Sequence, residues 1–134
     1  MGRDFYPEEI ALLASASRTV DPTISPASWN GTKAVGIDVL IDMTTVGTGS
    51  ITVSIEGRAA GKISAVGAPA GWYLILASAA IAANGVTLLT VHPGVTDAAN
   101  SKAGRSLPKQ FRVRVVANNA NAAVYSVDVN LLAA

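Results

Sequence analysis

The side chains that could do chemistry are few, and they do not fall into a catalytic or metal-binding spacing. The single histidine, His92, stands before proline in VHPG with Asp97 as the nearest carboxylate, so we expect a structural role at a turn. Asp38 and Asp42 are four residues apart, which in a strand gives about 13 Å, too far for a glycosidase pair. The serines lack a GxSxG context, and GRAAGKI at 57–63 departs from a phosphate-binding loop in spacing and in its last residue. The sequence therefore predicts a protein that is not an enzyme and that holds no metal or cofactor.

Composition and charge narrow the class of protein further. The chain has 134 residues, half of them hydrophobic and 14% charged, which suits one domain with a packed core. It has no cysteine, which excludes disulfides and thiolate zinc sites. Residues 1–56 have seven acids and three bases, a net charge of −4, and residues 57–134 have seven bases and two acids, a net charge of +5. This asymmetry is either a solvated surface or an acidic end that meets the basic end of another copy and steers assembly.

Neither nucleic acid nor a membrane is expected as a partner. Five bases fall between Lys102 and Arg114, but the chain has a net charge of only +1, and Phe111 is the aromatic near them. Residues 72–91 are mostly apolar over the length of a membrane span. However, Asn84–Gly85 interrupts them, and two strands joined by a turn fit the pattern better. The N-terminus lacks the basic start and long apolar core of a secretory signal.

Two segments of the chain differ in pattern. Residues 1–32 are rich in proline and read as an extended N-terminal arm, with a possible short helix from Glu8 to Ala14. Residues 33–134 alternate apolar and polar side chains with a period of two, which is typical of antiparallel strands with one solvent-exposed face. We therefore predict an all-β fold, an antiparallel β-sandwich with Greek-key or jelly-roll-like links. A small barrel is the alternative.

Alternation also predicts which side chains point into the core. The apolar residues expected there are Ile37, Val39, Ile41, Met43, Ile51, Val53, Ile55, Phe111, Val113, Val115, Tyr125, Val127, Val129 and Leu131. Leu40 falls on the opposite face, between two aspartates. The last two strands are predicted to form a hairpin across ANNANAA, with Arg112 and Arg114 on its solvent-exposed face and Asp128 opposite them.

Two groups of residues are predicted to contact other subunits. The arm group, expected to anchor in a neighbour or to cover its sheet edge, is Phe5, Tyr6, Ile10, Leu12 and Leu13. The candidate interface residues of the body are Trp29, Trp72, Arg112 and Arg114. The two tryptophans also allow a different interpretation, in which they stack on sugar rings in a carbohydrate- or host-surface-binding module.

Three stretches carry a resemblance to a known group of proteins: RTVDPTISP, ILASAAIAANGVTLLTVHPGVT and LPKQFRVRVVANNANAAVYSVDVNLL. Their order resembles small structural proteins of tailed-bacteriophage virions, in which a strand pair of the LLASAAI…G…L.VHPG type precedes an LP…(W/F)RV.V segment and a final YSV strand. The likeness covers most of residues 18–132. It implies a β-rich virion component present in many copies.

The expected function follows from this resemblance together with the strand pattern and the arm. We expect a capsid decoration protein on the capsid surface, assembled as a homo-oligomer (a trimer or dimer). Its partner would be the major capsid protein or another virion protein. A tail or head–tail junction protein with the same fold is the alternative.

Overall fold

The computed structural model describes residues 8–19, 29–30, 34–58, 72–108 and 110–132, and nine strands make up their regular structure. The strands are β1 (Glu8–Arg18), β2 (Trp29–Asn30), β3 (Gly36–Thr45), β4 (Ile51–Arg58), β5 (Trp72–Ala77), β6 (Gly85–Val91), β7 (Lys102–Ala103), β8 (Gln110–Ala117) and β9 (Ala123–Leu132). Within the described ranges the chain forms strands, turns and loops, and no helix.

The strands form two sheets packed as a sandwich. One sheet has the order β1-β9-β3-β6-β7 and the other has the order β2-β8-β4-β5, and every pairing is antiparallel except β6 with β7. The first and last strands are neighbours in one sheet, and the second and second-to-last are neighbours in the other. This order, with β7 as an addition at the edge, is that of a jelly roll. The predicted antiparallel β-sandwich is confirmed, and the strand order excludes the small barrel.

The core lies between the sheets and is built by alternate residues of the long strands. All fourteen side chains that the period of two predicted to be buried are in it, and twelve of these belong to residues with 0–1% exposure. The other buried apolar residues are Leu12, Val46, Leu76, Ile81, Leu89, Val91, Leu107 and Ala123. Each buried Val or Leu side chain contributes roughly 1.5–3 kcal/mol before entropy costs, so this core is the main source of stability.

The short helix expected from Glu8 to Ala14 is wrong, because residues 8–18 form strand β1. This strand pairs with β9 along its length, with register shifts between Ala11 and Leu13 and between Leu13 and Ala16. The Arg18 guanidinium fixes its end by donating to the carbonyl oxygens of Tyr125, at 2.8 Å, and Ala14, at 2.6 Å. Glu, Ala and Leu favour a helix locally, but the open edge of β9 offers backbone partners that outweigh this weak preference. Part of the range assigned to the arm is therefore an edge strand of the sandwich.

The predicted closing hairpin is also wrong, because β8 and β9 belong to different sheets. β8 lies between β2 and β4, and β9 lies between β1 and β3. The Asn-rich segment between them crosses from one sheet to the other. There the Asn118 amide donates to Ser50 Oγ at 2.8 Å and to Thr52 Oγ1 at 3.1 Å, which attaches the crossing to β4 and the loop before it.

Candidate functional site

The outer surface of the five-stranded sheet carries apolar side chains beside carboxylates, and we call it the acidic face. It consists of Asp38, Leu40, Asp42, Val86, Leu88 and Asp128. Leu40 on β3 lies directly opposite Leu88 on β6 and Asp128 on β9, and Asp42 lies opposite Val86. The exposed fractions are 36% for Leu40, 65% for Val86 and 50% for Leu88. A rigid sheet thus presents three adjacent apolar side chains to solvent.

The carboxylates of the acidic face surround this apolar group. Asp42 and Asp128 are exposed, and Asp38 is half-buried and accepts a hydrogen bond from Thr90 Oγ1 at 2.7 Å. Lys102 lies on β7 at the edge of the same sheet. An apolar centre with a charged rim is the usual anatomy of a protein–protein interface.

The outer surface of the four-stranded sheet has the opposite charge, and we call it the arginine face. It consists of Glu56, Arg58, Trp72, Leu74, Arg112 and Arg114. Three arginines and one glutamate give it a net charge of +2. Leu74 on the edge strand β5 is 59% exposed and lies opposite Glu56.

The glutamate of the arginine face is held between strands by two arginines. Arg112 Nε donates to Glu56 Oε1 at 2.6 Å, and Arg114 Nη1 lies 3.7 Å from Glu56 Oε2. The side chains of Glu56 and Arg112 are 11% and 24% exposed, whereas that of Arg114 is 50% exposed. Asp128, the partner predicted for both arginines, lies on the other sheet, because β8 pairs with β4 and not with β9. The prediction that Arg112 and Arg114 lie on the outer surface is correct.

Trp72 does not present a bare ring to solvent. It is half-buried, the Arg112 guanidinium lies 4.4 Å from its ring centroid, and that of Arg58 lies at 5.7 Å. Cation–π contacts of this kind occupy the ring surface that a sugar would need. The geometry therefore weakens the carbohydrate-binding interpretation for Trp72. The backbone of Trp29 pairs with Phe111, and its side chain lies outside the described part of the structure.

The arm residues are placed differently from their prediction. Leu12 is 8% exposed and belongs to the chain's own core, which opposes its predicted role as an anchor in a neighbouring subunit, and Leu13 is half-buried and packs against that core. They are held there because the pairing of β1 with β9 brings them over the sandwich interior. The backbone of Ile10 pairs with Val129, and its side chain is not in the described part of the structure. Phe5 and Tyr6 lie outside the described residues.

The residues considered for catalysis have local contacts. His92 Nδ1 accepts a hydrogen bond from the Gly94 backbone N–H at 2.9 Å, the turn role expected for it. Asp38 and Asp42 lie on one outer surface of β3, separated by Leu40. Among the described residues, no three His, Asp or Glu side chains come together in a way that could hold a metal ion. The same residues include no helix long and apolar enough to cross a membrane.

Neither the acidic face nor the arginine face is recognisable from the sequence as one continuous surface. The signal for the acidic face was Leu40, an apolar residue on the wet side of its strand, but Val86 and Leu88 stand out only once β6 pairs with β3. The signal for the arginine face was Glu56 at an outward position of β4. Its pairing with Arg112, 56 residues further along the chain, depends on the contact between β4 and β8.

Comparisons with known proteins give no family for this chain. No protein-family profile matches it, and no curated protein matches it significantly. Among solved structures, it is similar to a protein described as PirA, at 16% identity with a TM-score of 0.47, over 96% of each chain. A likeness of this degree carries no argument about function.

Proposed function

We propose that this chain is a non-enzymatic structural protein of a tailed-phage virion, where it decorates the capsid surface in many copies. The observation that carries the proposal is the acidic face. Leu40, Val86 and Leu88 are exposed on a rigid sheet whose opposite surface is packed in the core. Contiguous apolar side chains on such a sheet are typical of a surface that another protein covers. The assignment to a tailed-phage virion comes from the resemblance of three sequence stretches to phage virion proteins.

The proposed mechanism is mechanical. The jelly-roll body supplies a rigid shape, and repeated weak contacts between copies and with the major capsid protein add up by avidity across a closed shell. Attachment to the capsid is assigned to the aromatic pair Phe5 and Tyr6, which precedes β1, because aromatic side chains are frequent anchors in protein interfaces. The proposed attachment segment is therefore shorter than the predicted arm and consists of residues before β1, since Leu12 and Leu13 pack in or against the chain's own core.

The location test uses purified particles. Mass spectrometry of gradient-purified virions should find the protein in many copies, and image reconstruction should place it on the outer capsid surface. A ring of copies at the tail or at the head–tail junction would favour the alternative structural role. Absence of the protein from purified particles would contradict both.

The attachment test uses the double variant Phe5→Ala/Tyr6→Ala. We expect it to keep the wild-type melting temperature and to lose most of its occupancy on particles that lack the wild-type protein. Full occupancy by the double variant would remove Phe5 and Tyr6 from the mechanism.

A further inference from the structure

We infer that the acidic face of one copy docks on the arginine face of a second copy, so that copies associate head to tail. Within one molecule the two faces are on opposite sides of the sandwich, because each is the outer surface of a different sheet. Packed sheets are about 10 Å apart, so the charges of one face cannot neutralise those of the other within the same copy. The complementary surface has to come from another molecule.

Charge complementarity selects the occupant. The acidic face contributes the carboxylates of Asp38, Asp42 and Asp128, which with Lys102 at its β7 edge give a net charge of −2, and the arginine face has a net charge of +2. Opposite potentials favour encounter and fix orientation, whereas contact between two acidic faces would place like charges together at a cost. A second copy of this chain presents the required complementary surface, and it is always present at the same concentration as the first.

The apolar residues of the two faces also complement each other. The acidic face has an apolar centre of Leu40, Val86 and Leu88, and the arginine face has Leu74 beside Trp72. Docking would remove these side chains from water while the charged residues remain at the rim, where salt weakens their interaction. Because the two surfaces differ, the contact is heterologous and produces rings or open chains instead of closed two-fold dimers.

The size of the faces predicts a weak contact. The smaller sheet has four strands, and β4 pairs with β8 over seven residues. At about 4.8 Å between strands and about 3.3 Å per residue, such a face covers roughly 440 Å², or about 900 Å² for both partners. Stable interfaces bury about 1,200–2,000 Å², so self-association is expected at high protein concentration and low salt.

The test is sedimentation velocity over a concentration series at low and at physiological ionic strength. The wild-type protein should associate, and the association should weaken at higher salt. Asp128→Lys, which damages the acidic face, and Arg114→Glu, which damages the arginine face, should each weaken it by about tenfold or more. An equal mixture of the two variants should associate with 1:1 stoichiometry, because the intact arginine face of one meets the intact acidic face of the other.

Arg105→Glu is the matched control, since it makes the same charge change at an exposed loop residue outside both faces and should associate as wild type. Arg58→Glu damages the arginine face at a second position, two residues from Glu56 on β4, and melting curves verify that each variant is folded. A wild-type protein that stays monomeric at low salt would overturn the inference, as would a variant mixture that associates no better than its components. Self-association is independent of the virion proposal, because it is measured on the purified protein alone.

Discussion

Replacement of Arg112 by methionine tests how the arginine face is held together. Met keeps most of the length of the side chain but removes the donor that Glu56 Oε1 meets at 2.6 Å. Arg114, whose Nη1 lies 3.7 Å from Glu56 Oε2 and whose side chain is half exposed, remains near that carboxylate. The variant therefore leaves a largely buried carboxylate with a weak partner.

The magnitude follows from the exposure of the pair. Loss of one partner of a fully buried pair costs about 3–5 kcal/mol, and a hydrogen bond to a charged group contributes about 1.5–3 kcal/mol. Because Arg112 is 24% exposed and Glu56 is 11% exposed, we expect a cost of about 2 kcal/mol, below the fully buried case. For a domain of this size, about 3–4 °C of melting temperature corresponds to 1 kcal/mol, so Arg112→Met should melt about 7 °C lower.

The assay is urea unfolding of four proteins: wild type, Arg112→Met, Glu56→Gln and the double variant. In the double variant the uncompensated carboxylate is gone, so the cycle should show a coupling energy of about 1 kcal/mol or more. Arg114→Met is the matched control on the same strand, and as an exposed pair it should cost less than about 1 kcal/mol. Equal costs for the two arginine variants, or an additive double variant, would refute this account of the pair.

Three further predictions concern the body. Deletion of residues 1–17 should lower the free energy of unfolding by at least about 2 kcal/mol and promote aggregation, because it removes buried Leu12 and leaves β9 as an open edge; melting curves with light scattering check this. Gly49→Ala should cost about 1–3 kcal/mol in urea unfolding, since its Cβ would lie 2.7 Å from the Ala122 carbonyl oxygen, and an unchanged midpoint would show that the loop adapts. Ile55→Ala should cost about 2–5 kcal/mol in the same assay, because Ile55 is fully buried between the sheets, and a loss under 1 kcal/mol would contradict that placement.

The candidate site could be predicted in its parts but not as a whole. The sequence correctly put Arg112 and Arg114 on an outer surface and Leu40 beside two aspartates, because alternation along a strand is a local property. It could not assemble either face, since each combines strands that are far apart in the chain. The partner assigned to the arginines was wrong for this reason: Asp128 is close in sequence but lies on the opposite side of the sandwich.

The sequence by itself determined the fold class and the identity of the core. Apolar side chains at every second position of 37–43, 51–55, 111–115 and 125–131 can be removed from water together only if these segments are strands with one buried side. That requirement acts on each segment alone, so it can be read without knowledge of the neighbours.

Only the tertiary structure decided which strands pair. A period of two is the same whether two strands are hydrogen-bonded in one sheet or face each other across the core, so β8 and β9 look like a hairpin in sequence and are not one. The conformation of residues 8–18 was decided in the same way, because their helical preference is weaker than the pairing that β9 offers. The opposite charges of the two outer surfaces likewise result from strand order, which places Asp128 on one sheet and Arg112 on the other.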